Sequence, residues 1–156
     1  MKKIIFTLIA SFILAFGVSA QNIVLKNGLY YSENNTLYTG VYTAFSKAAT
    51  KESVLEINNG KLNGVATYYY ADGSIMETGN FINNEKHGQW LRWAETGAKI
   101  AEAFYSTGKK DGNWLIWDAN GTKRYEMFYT IGAKTGTWSM WDEQGKLISE
   151  KNYNPS

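Results

Sequence analysis

One histidine and no cysteine is little equipment for catalysis. A nucleophile needs a base beside it, and a metal ion needs several ligands at suitable spacing. His87, in Lys86-His87-Gly88, has neither nearby in sequence and fits a solvent-exposed turn. No catalytic, metal-binding or cofactor-binding residue is therefore expected. The carboxylates offer one arrangement to weigh. Glu102, Glu126 and Glu150 recur at 24-residue intervals, with Thr78 in the same slot one unit earlier. Two carboxyl groups between about 5 and 9.5 Å apart suit glycoside hydrolysis. Equivalent residues of successive hairpins would lie two strand spacings apart, about 9.5 Å, at the edge of that range. Identical surroundings, however, give no means of making one group the acid and its neighbour the base. Ion pairs with lysines such as Lys110 and Lys134 on neighbouring strands are the expected role.

The six tryptophans are the stronger candidates for recognition. They fall in two slots, Trp90/Trp93, Trp114/Trp117 and Trp138/Trp141, within the segments GQWLRW, GNWLIW and GTWSMW. A slot filled in every unit is what a packed core stripe requires. The second slot, Trp93, Trp117 and Trp141, is the candidate strip for a ligand or partner, because exposed rows of aromatics suit sugar rings or protein surfaces. Residues three apart on a strand face opposite ways under strict alternation. Either a bulge or twist near the turn brings the two slots together, or both faces of the sheet are aromatic.

These side chains are positioned by a repeat. Glycine recurs at 40, 64, 88, 112 and 136, and a second series follows at 73, 97, 121 and 145. Asp72-Gly73, Thr96-Gly97, Asn120-Gly121 and Gln144-Gly145 mark two-residue hairpin turns of the type that needs positive φ at both centres. A second turn closes the unit in Gly108-Lys-Lys-Asp-Gly112 and Gly132-Ala-Lys-Thr-Gly136, and an aromatic recurs at Phe81, Tyr105, Tyr129 and Tyr153. Strand, turn, strand, turn in 24 residues leaves no room for an ordinary helix. The expected fold is all-β: an elongated antiparallel meander of about five 24-residue β-hairpins, starting near residues 40, 64, 88, 112 and 136. The first unit is degenerate, with Ser46-Lys-Ala-Ala-Thr-Lys51 where a longer loop is expected.

Residues 1–20 have the pattern of a secretory signal peptide. Lys2 and Lys3 precede an apolar run, and Val18-Ser19-Ala20 supplies small residues for cleavage between Ala20 and Gln21. The apolar run is shorter than the roughly 20 residues of a membrane span. Removing Lys2 and Lys3 from 16 basic and 14 acidic residues leaves 14 of each. That balance is not the basic footprint of a nucleic-acid binder, nor does it favour attachment to anionic lipid. Residues 21–39 form a leader whose Lys26-Asn-Gly-Leu-Tyr-Tyr31 is expected to make a first strand pair, ahead of the array at 40–156. With no cysteine, stability must come from burying aromatic surface.

The aromatic strand, Asp-Gly turn and Gly-Lys-x-x-Gly closure resemble MORN repeats over about residues 26–153. Asn27-Gly-Leu-Tyr-Tyr31, Tyr38-Thr-Gly40, Tyr70-Ala-Asp-Gly73 and Glu85-Lys-His-Gly88 resemble a bacterial MORN-repeat family described as antitoxin-like. The resemblance implies a non-enzymatic module for protein–protein interaction, antitoxin- or immunity-like; the signal pattern of residues 1–20 adds the expectation of export, to the periplasm, the cell surface or the medium. A glycan-binding protein using the aromatic strip, or an envelope scaffold, is the alternative.

Overall fold

The computed structural model describes residues 22–153. The expected signal segment 1–20 and its Ala20–Gln21 junction lie outside the described residues. Twelve strands and no helix are present among those described: β1 Val24–Lys26, β2 Leu29–Tyr31, β3 Gly40–Phe45, β4 Lys51–Asn58, β5 Lys61–Tyr69, β6 Ile75–Ile82, β7 Glu85–Trp93, β8 Lys99–Ser106, β9 Lys109–Trp117, β10 Lys123–Thr130, β11 Ala133–Trp141 and β12 Leu147–Tyr153. Strands β3 to β12 form one antiparallel sheet in strict sequence order, while β1 and β2 pair separately. The meander of hairpin repeats is therefore as the glycine spacing implies, and Asn27-Gly28 turns the leader hairpin.

The two kinds of turn are exchanged relative to expectation. The two-residue turns are Asn27-Gly28, Asn59-Gly60, Asn83-Asn84, Thr107-Gly108 and Ile131-Gly132, each with positive φ at both residues. They lie between units, and Lys109 to Gly112 is already strand. At the second glycine series only the glycine itself is left-handed. The turn there is a five-residue loop, in which Tyr70 N–H donates to Ser74 O and Gly73 N–H donates to Tyr70 O. Asp118 and Asp142 organise their copies of it, each Oδ1 accepting from two backbone N–H groups. Ser46 Oγ takes that role in the first unit, and Ala49 occupies the left-handed place at φ 60°. The 46–50 loop is thus the same length as the others, not longer: only its residue types disguise it.

Thr107 at φ 44° and Ile131 at φ 47° are β-branched residues in a region that disfavours them. Ile131 is also 59% exposed, so its side chain gains little from packing. Ile131→Asn is expected to raise stability by about 1 kcal/mol, seen as a higher urea midpoint with an unchanged slope. A lower midpoint would show that Ile131 packs productively after all.

Each hairpin carries a one-residue bulge beside its five-residue loop, as where Ile100 separates the Trp93↔Lys99 and Arg92↔Ala101 pairs. This bulge lies on the strand opposite the tryptophans, so alternation holds from Trp90 to Trp93; the tryptophan strand has its own irregularity just before, where residues 88–90 oppose Gly79. Trp90 faces Ala103, and Trp93 faces Lys99, on opposite sides of the sheet. Both faces are aromatic.

The core lies on one face, at one end. Leu55, Ile57, Ala66, Phe81, Trp90 and Ala103 are buried there, with Tyr30, Tyr38, Tyr42 and Tyr68 packed against them. The leader covers this end. Tyr30 N–H donates to Gly60 O, Gly60 N–H donates to Tyr38 O, and the Asn84 amide donates to Gly28 O. The Tyr30 and Tyr42 rings stand 6.0 Å apart.

Candidate functional site

The face that holds the core continues past it as a ladder of rings. Phe81, Trp90, Tyr105, Trp114, Tyr129, Trp138 and Tyr153 contact one another in series, with centroid separations from 4.9 to 6.4 Å. The first tryptophan slot and the 24-residue aromatic series therefore build one structure. Each tryptophan is fixed by its own donor: Nε1–H of Trp90, Trp114 and Trp138 reaches the carbonyl of Asn80, Phe104 and Phe128 on the preceding strand. Burial of the tryptophans fades along the ladder, although Tyr129 between the last two is still only 9% exposed. Trp90 is 2% exposed, whereas Trp114 and Trp138 are half-buried.

A lysine stands over the rings in each of three repeats. Lys86 Nζ is 3.6 Å from the Trp90 centroid and 5.4 Å from that of Tyr105. Lys110 is 4.1 Å from Trp114 and 4.8 Å from Tyr129, and Lys134 is 4.4 Å from Trp138 and 5.3 Å from Tyr153. The pairing of Lys110 and Lys134 with the periodic glutamates does not occur, because they lie on opposite faces of the sheet. Those glutamates form a row on the reverse face, Glu102 and Glu126 both opposite Leu115, as the spacing implies. Glu102 accepts from Lys99 at 2.8 Å and Glu126 from Lys123 at 2.7 Å, each three residues away. The one-residue bulge puts such pairs on one face, where strict alternation would part them. The Lys99 hydrogen bond holds the Glu102 carboxyl below its ordinary range, aided by Gln89.

The candidate strip Trp93, Trp117 and Trp141 lies on this reverse face, and all three residues are half-buried. Lys99 stands 4.6 Å from the Trp117 centroid, and Lys123 4.1 Å from that of Trp141. Two of the three strip rings, Trp117 and Trp141, are thus overlain by lysines whose charge Glu102 and Glu126 already balance.

His87 is not a solvent-exposed turn residue. It is half-buried within β7. Its slot recurs at Thr39, Asn63 and Asp111, whose side-chain oxygens accept from the turn N–H groups of Asn59, Asn83 and Ile131, each 20 residues onward. His87 stands where an acceptor should meet the Thr107 turn, and its Nδ1 is buried without a hydrogen-bond partner. Inter-repeat capping is the function of the slot, and no sequence signal short of the register reveals it. His87→Asn is expected to raise the melting temperature by a few degrees, supplying the acceptor that Asn63 provides one unit earlier, worth about 1 kcal/mol. No gain in a thermal melt would show that the imidazole is already satisfied.

No group of three or more His, Asp or Glu side chains is placed to hold a metal ion among the described residues. The family model for the MORN repeat variant matches residues 62–83, 110–130 and 134–154. The chain is a MORN-repeat protein. Its MORN hairpins correspond to β5–β6, β9–β10 and β11–β12. The β7–β8 hairpin between them repeats the same register, loop and bulge. A search of curated proteins found no match to the chain.

Proposed function

We propose that this MORN-repeat protein is an exported, non-enzymatic binding module whose ligand is another protein. One observation carries the reading: among the described residues, the leader covers the aromatic ladder face at its N-terminal end and no segment covers it over β9 to β12. Tyr125 is 41% exposed there, and a shallow hollow of about 210 Å³ opens between Tyr125, Met127, Trp138, Met140, Lys151 and Tyr153. Exposed aromatic and methionine side chains with peripheral cations are what protein-recognition surfaces enrich. The reverse face, with Trp93, Trp117 and Trp141, offers a partner less charge to pair with, since its lysines already hold carboxylates. A lowered Glu102 pKa runs opposite to what a general acid needs, which favours recognition over hydrolysis. Export rests on Lys2, Lys3, the apolar run and Val18-Ser19-Ala20. An immunity- or antitoxin-like pairing is the narrower form of this reading.

Affinity capture from envelope and secreted fractions with the tagged protein tests it, followed by mass spectrometry. One protein retained in stoichiometric amount is the expected result. Retention of glycan with no enriched protein would replace this reading with glycan binding.

A further inference from the structure

We infer that the open half of the ladder face docks a left-handed polyproline-type segment of the partner, with an acidic residue at every third position. The inference rests on the protein–protein reading above and names the chemistry of the partner. The protein itself shows how a ladder lysine takes a carboxylate. Glu77 accepts from Lys86 Nζ at 2.7 Å while that ammonium stays over the Trp90 ring. In the next two repeats the place of Glu77 is taken by Ala101 and Tyr125. Lys110 and Lys134 keep their rings, and no carboxylate is within salt-bridge distance of them among the described residues. Lys110 has only the Tyr129 hydroxyl, 3.4 Å away. Two positions made for a carboxylate are thus left for a ligand to fill, in a chain whose net charge conceals them.

Their spacing selects the backbone. Lys110 and Lys134 are two strands apart, about 9.5 Å across the sheet. A polyproline II helix advances about 3.1 Å per residue with three residues per turn, so every third side chain returns to the same side after about 9.3 Å. An extended β-strand fails this test, because its third residue points the opposite way. The intervening residues, proline or apolar, cross β10 at Tyr129, which pairs with Lys134 and lies 4.8 Å from Lys110 Nζ; the hollow between Tyr125, Met127, Trp138 and Met140 opens beside that line. Aromatic-lined surfaces recognise such segments because the stiff helix loses little entropy on binding.

The test is titration of the purified protein with a four-repeat Pro-Pro-Glu peptide, followed by calorimetry. Two control peptides carry lysine for glutamate, or the same composition with the glutamates placed in adjacent pairs. Only the periodic acidic peptide is expected to bind, at least about tenfold tighter than the paired-glutamate control, and more weakly as salt rises. The double variant Lys110→Gln/Lys134→Gln should lose about tenfold in affinity, and Lys99→Gln on the reverse face should lose none. Equal binding of the two acidic peptides overturns the inference, as does a folded double variant that binds like the parent. Should the double variant not fold, the comparison of peptides on the parent protein decides. Binding of an acidic polysaccharide with none of the peptide would assign the face to another occupant. A protein captured equally by parent and double variant leaves the interaction module standing without this site, whereas no captured protein removes both.

Discussion

Trp90→Ala is expected to cost about 3–5 kcal/mol, measured as a fall in urea unfolding free energy followed by circular dichroism. Three losses coincide in that one truncation. The indole is 2% exposed and meets Phe81 edge-on at 5.0 Å, so its removal leaves a cavity between β6 and β8. Its Nε1–H no longer serves the Asn80 carbonyl, and Lys86 loses the ring beneath its ammonium. Such a cost is a large part of the stability of any small domain. Gly79→Ala should damage the same place from the other side. A Cβ on Gly79 would lie 2.2 Å from Trp90 Cδ2, and the ring has no free direction with Phe81, Tyr105 and Lys86 around it. Trp138→Ala, at the half-buried end, should cost roughly half as much. Equal costs for Trp90 and Trp138 would mean that the tryptophans are equally buried at both ends of the ladder.

That gradient marks the limit of what was legible beforehand. The 24-residue period disclosed the hairpins, the strand order and the aromatic rows, because periodicity is what repeated backbone geometry imposes on a sequence. It did not disclose which turn was which. Asp-Gly and Asn-Gly at the second glycine series look like two-residue turns, but a five-residue loop uses the same glycine for its single left-handed residue. Thr107 and Ile131, where the two-residue turns do occur, are poor turn formers held by contacts from the neighbouring repeat. Asp111 at Ile131 is the plainest case, and it depends on register that only the folded sheet defines. Gly79 was invisible for a related reason: it falls outside both glycine series, its slot being Ala103, Met127 and Lys151 in later units. Lys110 was misassigned because adjacent strands suggest pairing, whereas its register partner is Tyr105, three residues from Glu102 and on the opposite face; the one-residue bulges at Ile100 and Arg124 bring Lys99 and Lys123 round to the glutamates instead. Net charge, balanced once Lys2 and Lys3 are set aside, says nothing of an uncompensated Lys110 and Lys134 on one face.

A chain beginning at Gly40 is expected to lose about 4–6 kcal/mol and to bind hydrophobic dyes. The leader is the only cover on the core end of the ladder face among the described residues. Without it Leu55, Ile57, Tyr42 and Tyr68 lose the packing of Tyr30 and Tyr38. Gly60 loses both its backbone partners in the same step. An exposed apolar patch on an open sheet favours self-association, so sedimentation should show dimers or larger species. Alkali should approach the same state in the intact protein. Burial raises the Tyr30 pKa, with Tyr42 adding to it; burial likewise raises Tyr68, with Tyr30 and Glu77 adding. A tyrosine whose folded pKa is raised lends stability that is fully present below its unfolded value, about 10, and is lost as pH rises through the folded value. Loosening should therefore begin above about pH 10 at the leader, where two such hydroxyls share one site, before the β9–β12 end responds. Hydrogen exchange at the Tyr30 and Gly60 amides reports it, and Tyr30→Phe/Tyr68→Phe should move the onset to higher pH. A leaderless chain with the parent's unfolding free energy would mean instead that the meander supports itself, and that its covered end differs from its open end in shape alone.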